Sequence, residues 1–318
     1  MSIEPMRHAL NGPTMGTRWS AQFFTKPDFD AAPVGAALQA AVDQVDAQMS
    51  TWNPNSDLMQ LNAAPCGEWL AVSAALFEVL KLGLEIGRAS GGAFDIAMGD
   101  AVAAWGFGPD DAMPDRIRAA MNTARSPAEA ALELDDATGR VRKTMPITLD
   151  LSGIAKGYGV DLLAETLVSS GIDSGLVGID GEMRALGLQP DGVPWNIAVE
   201  APDLTRRTPH SVVLLQDAAV ATSGDYRHWV DVQGHRLSHT MDPRKGAPVV
   251  APPASVTVIA KTCAMADAWA TALMVAGPDA GPELARQHGL DALFLMRNDT
   301  GGVHGIKVGR LFSGGKPQ

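Results

Sequence analysis

The sequence predicts an α+β fold with mixed, largely antiparallel sheets and flanking helices. Three observations predict it. Helical periodicity appears in only a few, widely separated segments. Strand-length apolar runs crowd into the second half instead of alternating one for one with helices. Hydrophobic residues make up 46% of the 318 and charged residues 19%, which provides for a large core and excludes a disordered chain.

Taken in order, Thr17 to Phe24 reads as a first strand. Pro33 opens a helix whose Val34, Leu38, Val42, Val45 and Met49 recur every three or four residues and form one apolar face. A loop with Asn53, Pro54 and Asn55 follows. Ser73 is placed to cap a second helix carrying Leu76, Phe77, Leu80 and Leu84, which Gly91-Gly92 stops. Residues 106–146, rich in Gly, Pro, Asp and Ala, read as a surface excursion with short helical pieces. Ile147 to Leu151 is expected as a short buried strand, running into a third helix from about Ile154 to Val168 that ends at Gly171. Strands are then expected at Gly175–Ile179, Trp195–Glu200, Ser211–Leu215, Ala219–Thr222 and Ser255–Ile259. A fourth helix covers about Ala264 to Val275 and stops at Gly277-Pro278. A short helix, Pro282 to His288, and a strand, Ala292 to Met296, close the core, and the tail from Gly314 is expected to fray.

Composition excludes several classes. Lys and Arg number 25 against 36 Asp and Glu, a net charge of −11 with no basic block, which argues against nucleic acid as a partner. Cys66 and Cys263 lie far apart without Cys-x-x-Cys spacing, so two free thiols are expected and no zinc or redox motif. No run of eighteen apolar residues exists, so no transmembrane segment is expected. Met1 to Asn11 has neither an apolar h-region nor a cleavage signature. The chain as written is therefore expected in the cytoplasm, or in the periplasm if a leader has been removed.

Three segments carry chemistry. Asp267 and Thr271, four residues apart, share a helical face, and a carboxylate with a hydroxyl is a half-site for Mg²⁺, which takes hard oxygen ligands. The same pair also reads as an Asp at a helix start and a Thr bonded to its own backbone. Asp150-Leu151-Ser152-Gly153-Ile154-Ala155-Lys156 places a tight turn at a helix start, where amides attract phosphate, with Asp150 and Lys156 bringing opposite charges to one edge. An ordinary turn with a surface Lys fits that pattern too. Finally, Ser223-Gly224-Asp225-Tyr226-Arg227 and Ser238-His239-Thr240-Met241-Asp242-Pro243 are polar turns flanking a hairpin-like stretch, with His239 the prominent titratable group and His228 the other histidine in such a setting. Trp52, Phe94, Trp105 and Phe107 could stack on a planar ligand or serve equally as core and lid residues. Neither Gly-x-x-x-x-Gly-Lys-Ser/Thr nor Gly-x-Gly-x-x-Gly occurs.

Together, and in order, Met15-Gly16-Thr17, Met49-Ser50-Thr51-Trp52, Gly91-Gly92-Ala93-Phe94-Asp95, Trp105-Gly106-Phe107-Gly108, Asp150 to Tyr158, Ala221-Thr222-Ser223-Gly224-Asp225-Tyr226, Ser238-His239 with Asp242-Pro243, and Ala266-Asp267-Ala268-Trp269-Ala270-Thr271 resemble the FAD:protein FMN transferase family, also called the ApbE family, over about 15–275. The resemblance implies an α+β unit with FAD in a cleft between two lobes, and 1–318 as one transferase domain whose lobes do not fold independently. It places Met15, Trp52, Ala93, Phe94, Asp95, Asp150, Lys156 and His239 at positions that contact the flavin dinucleotide, and Gly153 (through its carbonyl), Asp267 and Thr271 at Mg²⁺ positions. Where the family often shows Asn-x-Gly-Gly and then an acid, this chain has Gly178-Ile179-Asp180-Gly181-Glu182.

The implied reaction cleaves FAD and joins FMN through a phosphoester to a Thr or Ser of an acceptor protein, releasing AMP. Lys156 would hold a phosphate oxygen, and His239, then Asp225, are the candidate general bases. Two alternatives use the same residues: an FAD pyrophosphatase releasing FMN and AMP, and a flavin carrier that leaves FAD intact.

Overall fold

The computed structural model describes residues 4–109, 111–203, 208–225, 229–232, 235–298 and 302–312, with backbone alone at 229–232 and 235–237. His228 and the tail from Gly314 lie outside the described residues.

The chain opens with the hairpin β1 (Met6–Thr14) and β2 (Thr17–Thr25), turned by Met15 and Gly16, both at positive φ. Helix α1 (Ala32–Met49) buries Val34, Leu38, Val42, Val45 and Met49, the stripe that its periodicity predicts. Helix α2 (Asp57–Ala63) starts at Ser56, whose hydroxyl accepts from the Met59 amide at 3.1 Å. After β3 (Leu70–Ala71), Ser73 caps α3 (Ala74–Ala89) as expected. Next come α4 (Gly99–Ala104), α5 (Pro114–Asn122), α6 (Ala128–Ala131), β4 (Leu132–Asp135) and β5 (Arg140–Lys143). Helix α7 (Ala155–Ser169) leads into β6 (Gly175–Ile179), β7 (Glu182–Leu186), β8 (Trp195–Glu200), β9 (Pro209–Leu215) and β10 (Ala219–Gly224). Two short hairpins, β11 (Trp229–Val232) with β12 (His235–Ser238) and β13 (Met241–Asp242) with β14 (Ala247–Pro248), precede β15 (Ser255–Ala260). Helix α8 (Cys263–Gln287), broken at Gly277 (φ 81°), is followed by β16 (Asp291–Arg297) and β17 (Val303–Val308).

The main sheet has eight strands in the order β1-β2-β6-β7-β10-β15-β16-β17, so neighbours in space are also in sequence order. Every ladder is antiparallel, and the expected mixture reduces to one parallel bridge, Asp180 to Glu182. Alternate strand residues face opposite ways. Ala221, Val256, Val258 and Phe294 pack with α7 and α8, while Val220, Ile259, Leu293 and Leu295 pack beneath Trp195, Ile197, Val199 and Val213 of the separate β8–β9 ribbon. The result is three layers: helices, sheet and ribbon.

Two expectations need correction. Residues 106–146 are not simply a surface excursion, because Ala128, Leu132 and Val141 join the main core. Ile147–Leu151 is no strand: Asn62 replaces a neighbouring strand, accepting from the Leu149 amide at 2.7 Å and donating to its carbonyl at 2.9 Å. The strands β1 and β17 carried no strong signal because both are sheet edges whose sequences hold strand-poor residues, Gly12-Pro13 in β1 and Gly305 in β17. Cys66 and Cys263 are free, as expected. Among the described residues, no helix is long and apolar enough to cross a membrane.

Helices α7 and α8 cap each other. Asp161 of α7 accepts from the Cys263 and Ala264 amides that open α8, at 2.8 and 2.9 Å. In return, Asp267 of α8 accepts from the Gly157 amide in the first turn of α7 at 3.1 Å. The approach is close enough that a Cβ on Gly157 would lie 2.5 Å from the Cys263 carbonyl oxygen. Gly157→Ala should therefore lower stability by about 1–3 kcal/mol through overpacking, seen as a lower urea midpoint with an unchanged m-value.

Candidate functional site

The start of α7 and the Asp267–Thr271 face of α8 open onto a cleft of about 420 Å³. A second hollow of about 700 Å³ adjoins it and shares Met15, Gly16, Ser152 and Lys156 with it. Two tight turns of the sheet, Met15-Gly16 and Asp180-Gly181, line the first cleft side by side. All four residues have positive φ, at 41°, 71°, 48° and 105°. Asp-Gly is a favoured pair for such two-residue hairpins, so the departure at Asp180-Gly181-Glu182 still builds a tight β6–β7 turn.

The charge at the cleft floor is acidic and mostly buried. Asp267 is 5% exposed and Glu182 is 4% exposed. Lys156 donates to Glu182 Oε1 at 2.6 Å and lies 3.9 Å from Asp180. Burial opposes its ammonium, but Glu182, Asp267 and Asp180 outweigh it and raise the lysine pKa above its ordinary value. Asp267 is pushed up to about 7, first by burial and then by Glu182, with Lys156 opposing. Glu182 Oε2 is buried without a hydrogen-bond partner among the described residues, an orphaned acceptor on a residue that lines the cleft.

Of the sequence-predicted residues, Met15, Ala93, Phe94, Asp95 and Asp150 line the first cleft. Gly153, Lys156, His239, Asp267 and Thr271 line it too. Gly153 sits tightly: a Cβ there would be 3.2 Å from the Phe94 ring and 3.3 Å from Thr271 Oγ1. The Thr271 hydroxyl lies 3.1 Å from that of Ser223. The Phe107 ring meets His239 edge-on at 6.3 Å.

Other placements differ from the expectations. Lys156 pairs with Glu182 instead of balancing Asp150. Asp150 accepts from the Ser152 amide at 2.9 Å, and burial raises its pKa. Asp95 accepts from the Ala97 and Ala128 amides, so it also pins the surrounding loop. Asp225 lies outside the lining of both hollows and makes a two-point ion pair with Arg297 at 2.6 and 2.7 Å. Trp52 lines the second hollow, 64% exposed. Trp105 is buried and donates to the Gly246 carbonyl, which makes it a packing residue. The sequence pattern gave Glu182 no role, although the acid that follows Asp180-Gly181 was a usable signal.

A sheet-backed cleft that gathers acids, a lysine and hydroxyls beside two packed helices is the site of a ligand-processing protein. The chain is 37% identical to the FAD:protein FMN transferase of Vibrio cholerae, over 92% of this chain and 88% of that protein. It is 34% identical to the FAD:protein FMN transferase of Escherichia coli K12, over 91% and 84%. The structure of the Pseudomonas stutzeri flavinyl transferase ApbE in its apo form superposes with a TM-score of 0.85 at 34% identity, covering 99% of this chain and all of that one. The ApbE family model matches residues 15–294, and the chain belongs to the ApbE family.

The Lys156–Glu182 pair makes a testable prediction. Lys156→Met strands a buried carboxylate, which should cost up to about 3 kcal/mol in urea unfolding. Adding Glu182→Gln to the same chain should restore most of that loss.

Proposed function

We propose that this chain is an FAD:protein FMN transferase that uses Mg²⁺, cleaving FAD and joining FMN through a phosphoester to a Thr or Ser of an acceptor protein. One observation carries the reading. The residues suited to a pyrophosphate and its cation, Gly153, Lys156, Asp267 and Thr271, share one cleft with His239, in a chain whose relatives bear that enzyme's name. We take 1–318 as one functional unit, because α7 and α8, which both contribute to the cleft, join the cores of its two halves.

The donor set fits magnesium. It is all oxygen: the Asp267 carboxylate, the Thr271 hydroxyl and the Gly153 carbonyl. The buried acids and the orphaned Glu182 oxygen make the floor electronegative. A bound Mg²⁺ would neutralise charge on the pyrophosphate as it is cleaved.

The remaining work falls to side chains. Lys156, kept protonated by Glu182, holds a phosphate oxygen. Met15, Ala93, Phe94, Asp95 and Asp150 shape the dinucleotide's bed, and the exposed Trp52 indole offers its face to a planar ring. His239 takes the proton from the acceptor hydroxyl, whose oxygen attacks the FMN-side phosphorus. The bond from that phosphorus to the bridging oxygen breaks, and AMP leaves with the bridging oxygen. Asp225, already paired to Arg297, is the weaker candidate base.

Asp267→Asn is the test, because its side-chain oxygen can still accept from the Gly157 amide. Roughly a 100-fold loss of Mg²⁺-dependent AMP release is expected, on the scale of a lost transition-state charge contact. Mg²⁺ should raise the melting temperature of the unsubstituted chain and not of Asp267→Asn. Mass spectrometry of the acceptor separates the alternatives: an FMN adduct supports the transferase, free FMN with AMP the pyrophosphatase, and intact FAD the carrier.

A further inference from the structure

The β8–β9 ribbon has two unlike faces. Trp195, Ile197, Val199, Val213 and Leu215 are buried against the main sheet. On the outer face, Ala198 is paired with Val212 and Asn196 with Leu214. Val212 and Leu214 are 58% and 55% exposed, on a strand whose inward residues are almost fully buried. The outer face is also continuous with the site, since Ala198 and Glu200 of β8 line the cleft that holds Lys156, His239 and Asp267. Moving across the ribbon from the cleft wall, the next side chain after Ala198 is Val212. Leu214 stands one cross-strand pair further on.

We infer that this outer face is a docking surface for an extended segment of the acceptor polypeptide next to the Ser or Thr that receives FMN. The inference rests on the transferase reading, which requires a protein hydroxyl to reach the cleft. Two features favour an extended peptide as the occupant. Val212 and Leu214 are two residues apart on one strand, a spacing of about 7 Å, which matches alternate side chains of an extended chain. Among the described residues the ribbon has two strands, β8 and β9, and pairs with no third strand, so an extended segment can add at an edge. The ligand is therefore a segment with apolar residues at alternate positions beside its hydroxyl residue.

The test uses the full chain loaded with FAD and two fluorescein-labelled peptides. Each peptide has a central threonine, flanked at every second position by valine in one and serine in the other. Anisotropy should show the valine peptide binding about tenfold tighter, the effect of partly burying two such side chains. The double variant Val212→Asp with Leu214→Asp should erase that preference while leaving FAD binding, read from flavin fluorescence, unchanged. Equal binding of both peptides, or a preference that survives the double variant, overturns the docking surface. Mass spectrometry of the same mixtures reports separately on the transferase reading. If the valine peptide docks but acquires no FMN, with AMP and FMN free in solution, the surface stands and the transferase reading fails.

Discussion

The mutual capping of two buried helices fixes everything else about the site. A helix start leaves amides without partners, and burying two such starts face to face would be costly unless each found an acceptor. Asp161 and Asp267 supply them, each from the other helix. Gly157 lets the backbones come close enough for both exchanges. Asp267 is thus held by one oxygen from the protein side, so its position does not depend on a ligand. Thr271 follows one turn later on the same helix, and Gly153 sits in the turn before the partner helix.

This arrangement concentrates negative charge under burial. Asp267 and Glu182 are both nearly solvent-free, with Lys156 as their close cation. Such a floor is poorly balanced in isolation, and the cation and phosphorylated ligand of the proposed reaction would complete it. Lys156 is correspondingly a structural residue of the fold and a residue of the cleft lining at once. It neutralises Glu182 within the fold and presents the rest of its ammonium to the cleft.

Much of this was legible in the sequence where the signal was local. The stripe on α1, the Ser73 cap and the strands Gly175–Ile179 and Trp195–Glu200 follow from spacing and capping chemistry. The residues gathered at the cleft were legible through ordered resemblance, not through any single motif. What stayed hidden was non-local. The partner of Lys156 lies 26 residues away, and nothing in either segment states that they meet. Asn62 standing in for a strand beside Leu149 is likewise an 87-residue relationship. Asp225 looked free for chemistry because its ion-pair partner, Arg297, lies 72 residues downstream. The edge strands β1 and β17 carry Gly12-Pro13 and Gly305, which break the strand signal there.

The sequence-ordered sheet has a consequence for how the family can diversify. Each excursion between neighbouring strands contributes a separate wall: Trp52, Phe94 and Asp150 come from the segment between β2 and β6, Ala198 and Glu200 from that between β7 and β10, and His239 from that between β10 and β15. A wall can be lengthened, shortened or exchanged without shifting the register of any ladder. The scaffold behaves as a fixed spine with interchangeable walls, and one wall can change while the spine and the mutual caps of α7 and α8 stay in place.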